Sequence, residues 1–374
     1  MPSFADYMLH VFWPAVEAAS NHALVGKLKT ADLPDEIRTS QFAKLKSLSP
    51  IGKAVHFGGT GQLAKSVGED GTFLCLTTEH LTESERYELD DWATSQGLVL
   101  SPPDPAEFLF VAWNYPSFLR LRDEFSDPKK INNELDVLDK GYLGHDIYDV
   151  MGWYDRFEIV SLAANWTGID KSPIWTAARI SSSLRGYRSK SMSDAVAHRL
   201  LLMLDIEEVA EENLYFALTS VHPKQTFFEV YKFLETIFYL PWMQALRDSL
   251  GLNSTALHLA RECHRELGWR GREAESVMRL FDMAPPATVQ SYALKSVKCF
   301  ADLSPGVAGS NSYGRRIYKI RNFLVHQEDY EDDTPLELTD EDWPIITAYL
   351  LDVIRYLYIS WSKDIPKPPS TLAA

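Results

Sequence analysis

The chain has 374 residues, of which 45% are hydrophobic and 12% aromatic, and its formal net charge at pH 7 is −15. This length and composition allow a large apolar core without disulfides or metal ions, which excludes an intrinsically disordered protein. The acidic balance excludes a protein that coats nucleic acid nonspecifically, although it is compatible with a local cationic site.

Cysteine content and hydropathy indicate the compartment. Cys75, Cys263 and Cys299 are odd in number and far apart in the chain, which is typical of a reducing environment rather than of a disulfide framework. No run approaches the roughly 18 apolar residues of a membrane span, and the N-terminus has no basic region ahead of a hydrophobic stretch. These features predict a cytoplasmic protein with no membrane partner.

Helices and short strands are predicted in the first third of the chain. Apolar residues at helical spacing predict helices within residues 4–48. Thr82 followed by Glu85 is a capping box and predicts another helix start. Short apolar runs bounded by Gly, Pro or Asp predict buried strands at 72–77, 97–100 and 108–113. Residues 50–115 are therefore predicted to form a small α/β or α+β unit.

Residues 59–66 imitate a phosphate-binding loop, with Ala64 where the second glycine belongs. Such a loop needs a helix directly after its Lys–Ser pair, but Gly68 and Gly71 interrupt that helix. A plain glycine-rich turn is the favoured interpretation. A nucleotide-dependent regulator that uses Lys65 is an alternative hypothesis.

Residues 171–190 contain five cations and no acid. Such a segment can follow a phosphate backbone, but it is more often a solvated linker or helix face. Almost everything beyond it is predicted to be helical, so it also marks the predicted domain boundary. The predicted fold class is mainly α. A smaller N-terminal α+β domain at 1–190, which senses a trigger or positions the substrate, precedes a helical domain at 191–374.

Successive amphipathic helices are predicted in the second half of the chain. Pro241 restarts one of them, Gly251 ends it, and the Pro285–Pro286 pair breaks the chain again. The helices are predicted within residues 192–219, 227–238, 242–250, 254–267, 273–281, 287–303, 313–326 and 339–361.

One stretch combines a basic run, a helical period and a titratable residue. Between Pro305 and Gln327 there is no acid, and the cations are Arg315, Arg316, Lys319 and Arg321. Nine acids and no base follow between Glu328 and Asp342. The sign of the charge therefore reverses directly after this stretch.

A helical projection of this stretch, at about 100° per residue, separates two sides. The expected core side carries Tyr313, Ile317, Ile320 and Leu324. The opposite side carries a polar stripe formed by Arg315, Lys319, Asn322 and His326. Arg321 lies about 140° from His326 around the axis. It can join His326 only if its side chain wraps around, if the helix ends near Val325, or if a second copy of the motif supplies the partner.

Residues 321–326 read RNFLVH. They resemble the RxxxxH motif, with a polar residue after the arginine, of the HEPN superfamily (higher eukaryotes and prokaryotes nucleotide-binding domain). Members of that superfamily are small α-helical bundles, commonly metal-independent endoribonucleases of toxin, CRISPR and anti-phage systems. The chain resembles them over at most residues 190–374, where the motif lies on the penultimate predicted helix. The resemblance implies a HEPN-like helical bundle in the C-terminal half.

The resemblance also implies RNA cleavage by the neighbouring 2'-hydroxyl, which leaves a cyclic phosphate and a 5'-hydroxyl. His326 is expected to exchange the proton, Arg321 to stabilise the phosphate transition state, and Asn322 to position the phosphate or orient the histidine. Three further cations are expected to bind RNA: Arg315, Arg316 and Lys319. No metal or cofactor is expected. A base and an acid are both needed, so the resemblance implies a homodimer that faces two motifs across one groove.

The predicted function is therefore a cytoplasmic endoribonuclease that cleaves tRNA or mRNA as a toxin or anti-phage effector. Its trigger or inhibitor protein is not identified by the sequence. The acidic residues 328–333 are expected to restrain it by folding over the polar stripe and imitating RNA phosphate. The alternative is a helical module that binds RNA or a partner protein without catalysis. In that module His326 is a surface residue, and Arg321 pairs with an acid of the same segment.

One cluster of possible metal ligands is discounted. His258, Glu262 and His264 lie close together on one predicted helix. Only the first two share a face at i, i+4 spacing, so a structural role is favoured over metal binding.

Overall fold

The computed structural model describes residues 35–57, 61–123, 147–267, 272–304, 306–326 and 336–368. The chain divides into two compact units between Ala177 and Ala178. Among the described residues, the N-terminal unit combines a sheet with helices and the C-terminal unit is helical. The prediction of a mainly helical chain with a small sheet in its N-terminal region is confirmed.

The strands of the N-terminal unit form one antiparallel sheet. In chain order they are β1 (Ser49–His56), β2 (Gln62–Gly68), β3 (Gly71–Thr77), β4 (Val99–Ser101) and β5 (Phe157–Ser161). The spatial order is β1-β2-β3-β5-β4, and every neighbouring pair runs antiparallel. The strands predicted at 72–77 and 97–100 are therefore confirmed as β3 and β4.

The described residues of this unit include the helices α1 (Asp35–Ser47), α2 (Glu83–Ser95), α3 (Pro105–Asn114) and α4 (Ile147–Gly152). α2 begins with the predicted capping box, in which Thr82 and Glu85 exchange side-chain and backbone hydrogen bonds. α1 and α3 are joined by Lys44, whose Nζ donates to Asp104 at 2.7 Å and to Glu107 at 2.8 Å. The predicted helical residues 4–34 lie outside the described residues.

The strand predicted at 108–113 is wrong, because these residues lie in α3. A second capping box starts this helix. The side chain of Asp104 accepts from the N–H of Glu107 at 2.9 Å, and the side chain of Glu107 accepts from the N–H of Asp104 at 2.8 Å. Pro105 at the first helical position adds a fixed φ. A short apolar run has no period that separates a buried helix from a buried strand, so the cap decides.

The part of the phosphate-loop-like segment from Gln62 to Ser66 lies in β2. Lys65 and Ser66 lie inside β2 and are buried. The Nζ of Lys65 donates to the carbonyl oxygens of Gly168, Ile169 and Lys171 at 2.9, 2.7 and 2.7 Å. The lysine therefore holds the 168–171 turn. A strand also continues where a phosphate-binding loop needs a helix N-terminus.

Lys65→Met is expected to destabilise the N-terminal unit by about 2–4 kcal/mol, because three carbonyl groups lose a buried donor while the side-chain volume is kept. Urea unfolding measures the loss, and hydrogen exchange in β2 peptides assigns it to this unit. Lys53→Met, at an exposed position of β1, is the matched control. Equal stability of the two variants would contradict a structural role for Lys65.

Residues 171–190 are not a solvated linker. They contain α5 (Pro173–Ser183), whose side chains are largely buried, among them Trp175, Ala178, Ile180 and Ser181. Two cations of the segment, Arg185 and Arg188, pair with Asp194. Acids that follow in the chain therefore partner the cationic residues of this segment.

The helices of the C-terminal unit are α6 (Asp194–Met203), α7 (Glu211–Thr219), α8 (Pro223–Thr236), α9 (Leu240–Leu250), α10 (Ala256–Leu267), α11 (Glu273–Met283), α12 (Pro286–Val289), α13 (Ser310–His326) and α14 (Asp342–Ser360). Pro241 lies in the first turn of α9, and Gly251 ends that helix in the left-handed conformation, as predicted. No described helix has both the length and the apolar composition that crossing a bilayer requires.

α14 lies at the centre of the C-terminal unit. It packs against α6, α8, α11 and α12. The sequence pattern predicted one apolar side, but the helix is buried on more than one side, because helices pack against it from several directions. Its buried residues include Trp343, Ile346, Thr347, Tyr349, Leu350, Val353, Ile354, Leu357 and Tyr358.

The single helix predicted at 287–303 is wrong. The segment forms α12 and then two 3-10 turns, Tyr292–Ser296 and Lys298–Phe300. The hydroxyl of Ser291 accepts from the backbone N–H two residues on, a local bond that competes with the helix. The side chain of Gln290 binds the backbone of the loop before α13. These bonds hold the segment against the loop that leads into α13.

Candidate functional site

α13 carries the predicted motif, and its apolar side fixes it in the C-terminal unit. Tyr313, Ile317 and Ile320 are buried as predicted, whereas Leu324 is half-buried. The ring of Tyr313 stacks on Phe300 with 6.4 Å between the centroids. The core side predicted from the helical projection is thus confirmed for the first three turns.

Gly314 allows a close approach between α13 and α11. A Cβ atom at this position would lie 3.0 Å from the Cα of Met278 and 3.1 Å from the carbonyl oxygen of Val277. Both are backbone atoms, so they can yield only if α11 itself moves. The absence of a side chain at Gly314 therefore sets the separation of the two helices.

Gly314→Val is expected to lower the free energy of unfolding by about 1–3 kcal/mol, because the added methyl groups overlap the backbone of α11. Urea unfolding of the full chain measures the effect. Asn311→Val, at an exposed position one turn earlier, controls for the β-branched residue in a helix. A stability unchanged from that control would show that the helices separate at little cost.

Arg321 contacts two acids on neighbouring helices. Its Nη2 lies 3.2 Å from the Oε1 of Glu235 on α8, and its Nη1 lies 3.7 Å from the Oε2 of Glu273 on α11. The guanidinium also lies 5.8 Å from the centre of the Tyr231 ring. Its Nε is buried and has no hydrogen-bond partner among the described residues. Arg321 is therefore held on the side of α13 that faces α8 and α11.

Two carboxylates surround one guanidinium in this cluster. The side chain of Arg321 is 15% exposed, whereas those of Glu235 and Glu273 are 34% and 48% exposed. A phosphate that approaches Arg321 meets a positive charge that is already offset. The sequence suggested the acidic segment 328–333 as a source of the partner, but that segment lies outside the described residues.

Asn322 connects Arg321 to the polar stripe. The Nη1 of Arg321 donates to the Oδ1 of Asn322 at 3.2 Å. α13 is continuous from Ser310 to His326, so Arg321, Asn322 and His326 lie on one helix that extends one residue past Val325. His326 occupies the last helical position, one turn or about 6 Å along the axis from Asn322. Arg321 and the backbone position of His326 thus lie on different sides of one continuous helix, with Asn322 between them.

The three cations predicted to bind RNA line one pocket of about 710 Å³. We call it the α13 pocket. Its α13 wall is formed by Ser312, Arg315, Arg316 and Lys319, and its other walls by Lys298, Cys299, Ala301, Asp302, Leu303, Leu336 and Glu337. The structure therefore brings Arg315, Arg316 and Lys319 together around one pocket, whose described lining does not include Arg321 or Asn322.

The cations of the α13 pocket differ in their bonding. Arg316 is fixed, because its Nη2 lies 2.9 and 3.1 Å from the two carboxylate oxygens of Asp302. Arg315 is exposed and makes no ion pair with any described residue. Burial raises the pKa of the Cys299 thiol to about 11, outweighing the opposing effect of Arg316. The thiol is therefore neutral at pH 7 and contributes no charge to the pocket.

The sequence analysis missed Glu235 and Glu273. Glu235 lies 86 residues before Arg321 in the chain, and Glu273 lies on a different helix from either. No spacing within the sequence connects them to the motif. Only the packing of α8 and α11 against α13 brings the three residues together.

A second polar pocket, of about 600 Å³, lies at one end of the sheet in the N-terminal unit. The end of β1 and three loops converge there and contribute His56, Glu79, His80, Arg120 and Asp155. Burial raises the pKa of Asp155, and the nearby cation Arg120 opposes the rise. No sequence pattern predicts a site here, because these residues come from four segments that are far apart in the chain.

The three residues of the discounted metal cluster lie on α10. His258 and His264 are exposed on α10, and Glu262 pairs with Arg265. Within the described ranges, no group of three or more His, Cys, Asp or Glu side chains is arranged to hold a metal ion.

A scan of family models and searches of curated proteins and solved structures found no match to this chain. The features of this chain that indicate a function are therefore the geometry of α13 and the residues RNFLVH at its end.

Proposed function

We propose that the C-terminal unit is a HEPN-like, metal-independent endoribonuclease that acts in the cytoplasm as a toxin or anti-phage defence effector. The observation that carries this proposal is the bond between Arg321 and Asn322, one turn before His326 on a continuous α13. Two carboxylates from separate helices fix the arginine in this place. Supporting contacts of this kind, which fix the orientation of a side chain, are typical of groups that take part in catalysis.

The proposed reaction is attack of the RNA 2'-oxygen on the adjacent phosphorus. The bond from phosphorus to the 5'-oxygen breaks, which gives a 2',3'-cyclic phosphate and a 5'-hydroxyl. One histidine accepts the proton of the 2'-hydroxyl, and a second group returns a proton to the leaving 5'-oxygen. His326 supplies one of these groups, and His326 of a second copy in a homodimer supplies the other.

Asn322 has a defined part in this scheme. Its Oδ1 accepts from Arg321, so its Nδ2 remains to donate to a phosphate oxygen. Because two carboxylates offset the charge of Arg321, we assign the arginine a positioning role through Asn322 as well as a direct electrostatic one. The electrostatic role is largest when the phosphate gains charge in the transition state.

A second candidate is a helical module that binds RNA or a partner protein without catalysis. The pairing of Arg321 with Glu235 and Glu273 favours it, because the same contacts serve a purely structural arginine. The third hypothesis, a nucleotide-dependent regulator that uses Lys65, has no such support, because that side chain is buried against three carbonyl groups.

Incubation of the protein with total cellular RNA, including tRNA and mRNA, in EDTA tests the proposal. Wild-type protein is expected to yield discrete fragments, and His326→Ala none. Fragment 3' ends should become ligatable only after the cyclic phosphate is removed, and fragment 5' ends should accept a phosphate from polynucleotide kinase. RNA binding without fragments from the wild-type protein would favour the non-catalytic module.

A further inference from the structure

We propose that the α13 pocket is a binding site for one nucleotide of the RNA strand, separate from the nucleotide that is cleaved. The proposal names a subsite of the substrate and so rests on the proposed ribonuclease function. Its ligand chemistry is a nucleoside monophosphate unit, held by its phosphate and by an apolar wall.

The size and lining of the pocket fit one nucleotide. A volume of about 710 Å³ is far larger than a phosphate ion and lies within the usual range of small-molecule sites. Leu303 and Leu336 supply apolar surface to the pocket wall, and Leu336 is largely buried in the protein. Arg315, Arg316 and Lys319 stand on the α13 wall. One wall thus suits a base or ribose, and the other suits a phosphate.

The charges of the pocket favour an anion. Four cations line it against two acids, Asp302 and Glu337. Asp302 is held by Arg316, and Glu337 pairs with Lys298 at the exposed rim. A surface pair of this kind is worth little, so Lys298 can exchange its carboxylate for a phosphate at small cost. Arg315 makes no ion pair with any described residue and needs no exchange.

The position of the pocket favours the RNA strand over a free nucleotide. Arg315 and Lys319 belong to the polar stripe, the side of α13 that also carries Asn322 and the position of His326. Along the helix axis, Lys319 precedes His326 by about 10 Å and Arg315 precedes it by about 16 Å, at 1.5 Å per residue. A strand whose scissile phosphate lies at His326 therefore reaches the pocket with a nucleotide more than one linkage further along.

Fluorescence anisotropy with a short 2'-O-methyl oligoribonucleotide tests the subsite without cleavage, because the methylated 2'-oxygen cannot attack. Arg315→Glu is expected to weaken binding about tenfold. It is also expected to make the salt dependence shallower, reducing the magnitude of the negative slope of log association constant against log salt by about one. Lys363→Glu, which makes the same charge change at an exposed position outside the pocket, is expected to leave both unchanged. Equal weakening by the two variants would overturn the proposal.

Single neutral methylphosphonates in the same oligonucleotide locate the contact. At one linkage, the neutral substitution is expected to weaken binding to the wild-type protein. The same substitution is expected to have no effect on binding to Arg315→Glu, because that variant has already lost the contact. Fully additive effects at every linkage would overturn the assignment of Arg315 to one phosphate.

Titration with free nucleoside monophosphates separates the two sources of this ligand. Displacement of the oligonucleotide only by millimolar monophosphate supports the strand subsite. Micromolar binding of a monophosphate that leaves the oligonucleotide bound overturns it in favour of a regulatory nucleotide. If the pocket binds the strand but the protein cleaves no RNA, the subsite is supported and the ribonuclease function is refuted. Failure of the subsite and failure of the ribonuclease function are therefore distinguishable.

Discussion

His326→Ala is expected to lower RNA cleavage by about 10²–10⁴-fold, the usual contribution of one general acid or base. The residue occupies the last position of α13, at the end of a stripe whose other members are polar. Its removal leaves the apolar side of the helix untouched, so the fold is expected to persist. Rates of fragment formation from a defined RNA, in EDTA, give the measurement, and loss of growth inhibition in cells accompanies it.

His258→Ala is the matched control for this variant, because His258 is exposed on α10 in the same unit. It removes the same side chain from a helix that does not carry the motif. Circular dichroism and thermal unfolding verify that both variants fold. Cleavage by His326→Ala at the wild-type rate would remove the histidine from the mechanism and leave the binding module as the better interpretation.

Arg321→Met is expected to produce two separable losses. Cleavage falls by about 10²-fold or more, because Asn322 loses its fixed donor and the phosphate loses a cation. Stability falls by about 1–2 kcal/mol, because Glu235 and Glu273 are left without a partner. Their partial exposure limits this cost below that of a fully buried pair.

A second substitution separates the two roles of Arg321. Glu235→Gln in the Arg321→Met background removes one of the unpaired charges and is expected to restore part of the stability, measured by urea unfolding. It is not expected to restore cleavage. Recovery of both together would mean that Arg321 acts only by stabilising the fold. Glu229→Gln, an acid of α8 that contacts Lys232 instead, is the control.

Helical periods and caps predicted much of the C-terminal unit. Gly251 ends α9 and Tyr313, Ile317 and Ile320 face the core, because both features depend on residues close in sequence. The failures share a physical cause. The run at 108–113 is too short to show a period, and the 287–303 segment is shaped by side chains that bind a loop beyond it.

The candidate site was predictable only along one helix. The polar stripe follows from the rotation of about 100° per residue, so naming its members needs only their spacing along the chain. The carboxylates that hold Arg321 come from other helices, and no local rule relates residues so distant in the chain. The α13 pocket needed the same long-range packing, because its far wall comes from the turns at 298–303 and from 336–337.

The close approach at Gly314 has a consequence for the rotation of α13. Gly314 precedes Arg321 by seven residues, which is about 20° short of two full turns, so the two positions face the same neighbour. The backbone of α11 packs against Gly314, and Glu273 of α11 contacts Arg321. A residue inserted between them would turn Arg321 about 100° away from Glu273 while the glycine contact stayed in place. The orientation of the proposed catalytic end of α13 is thus set by a residue without a side chain, two turns away.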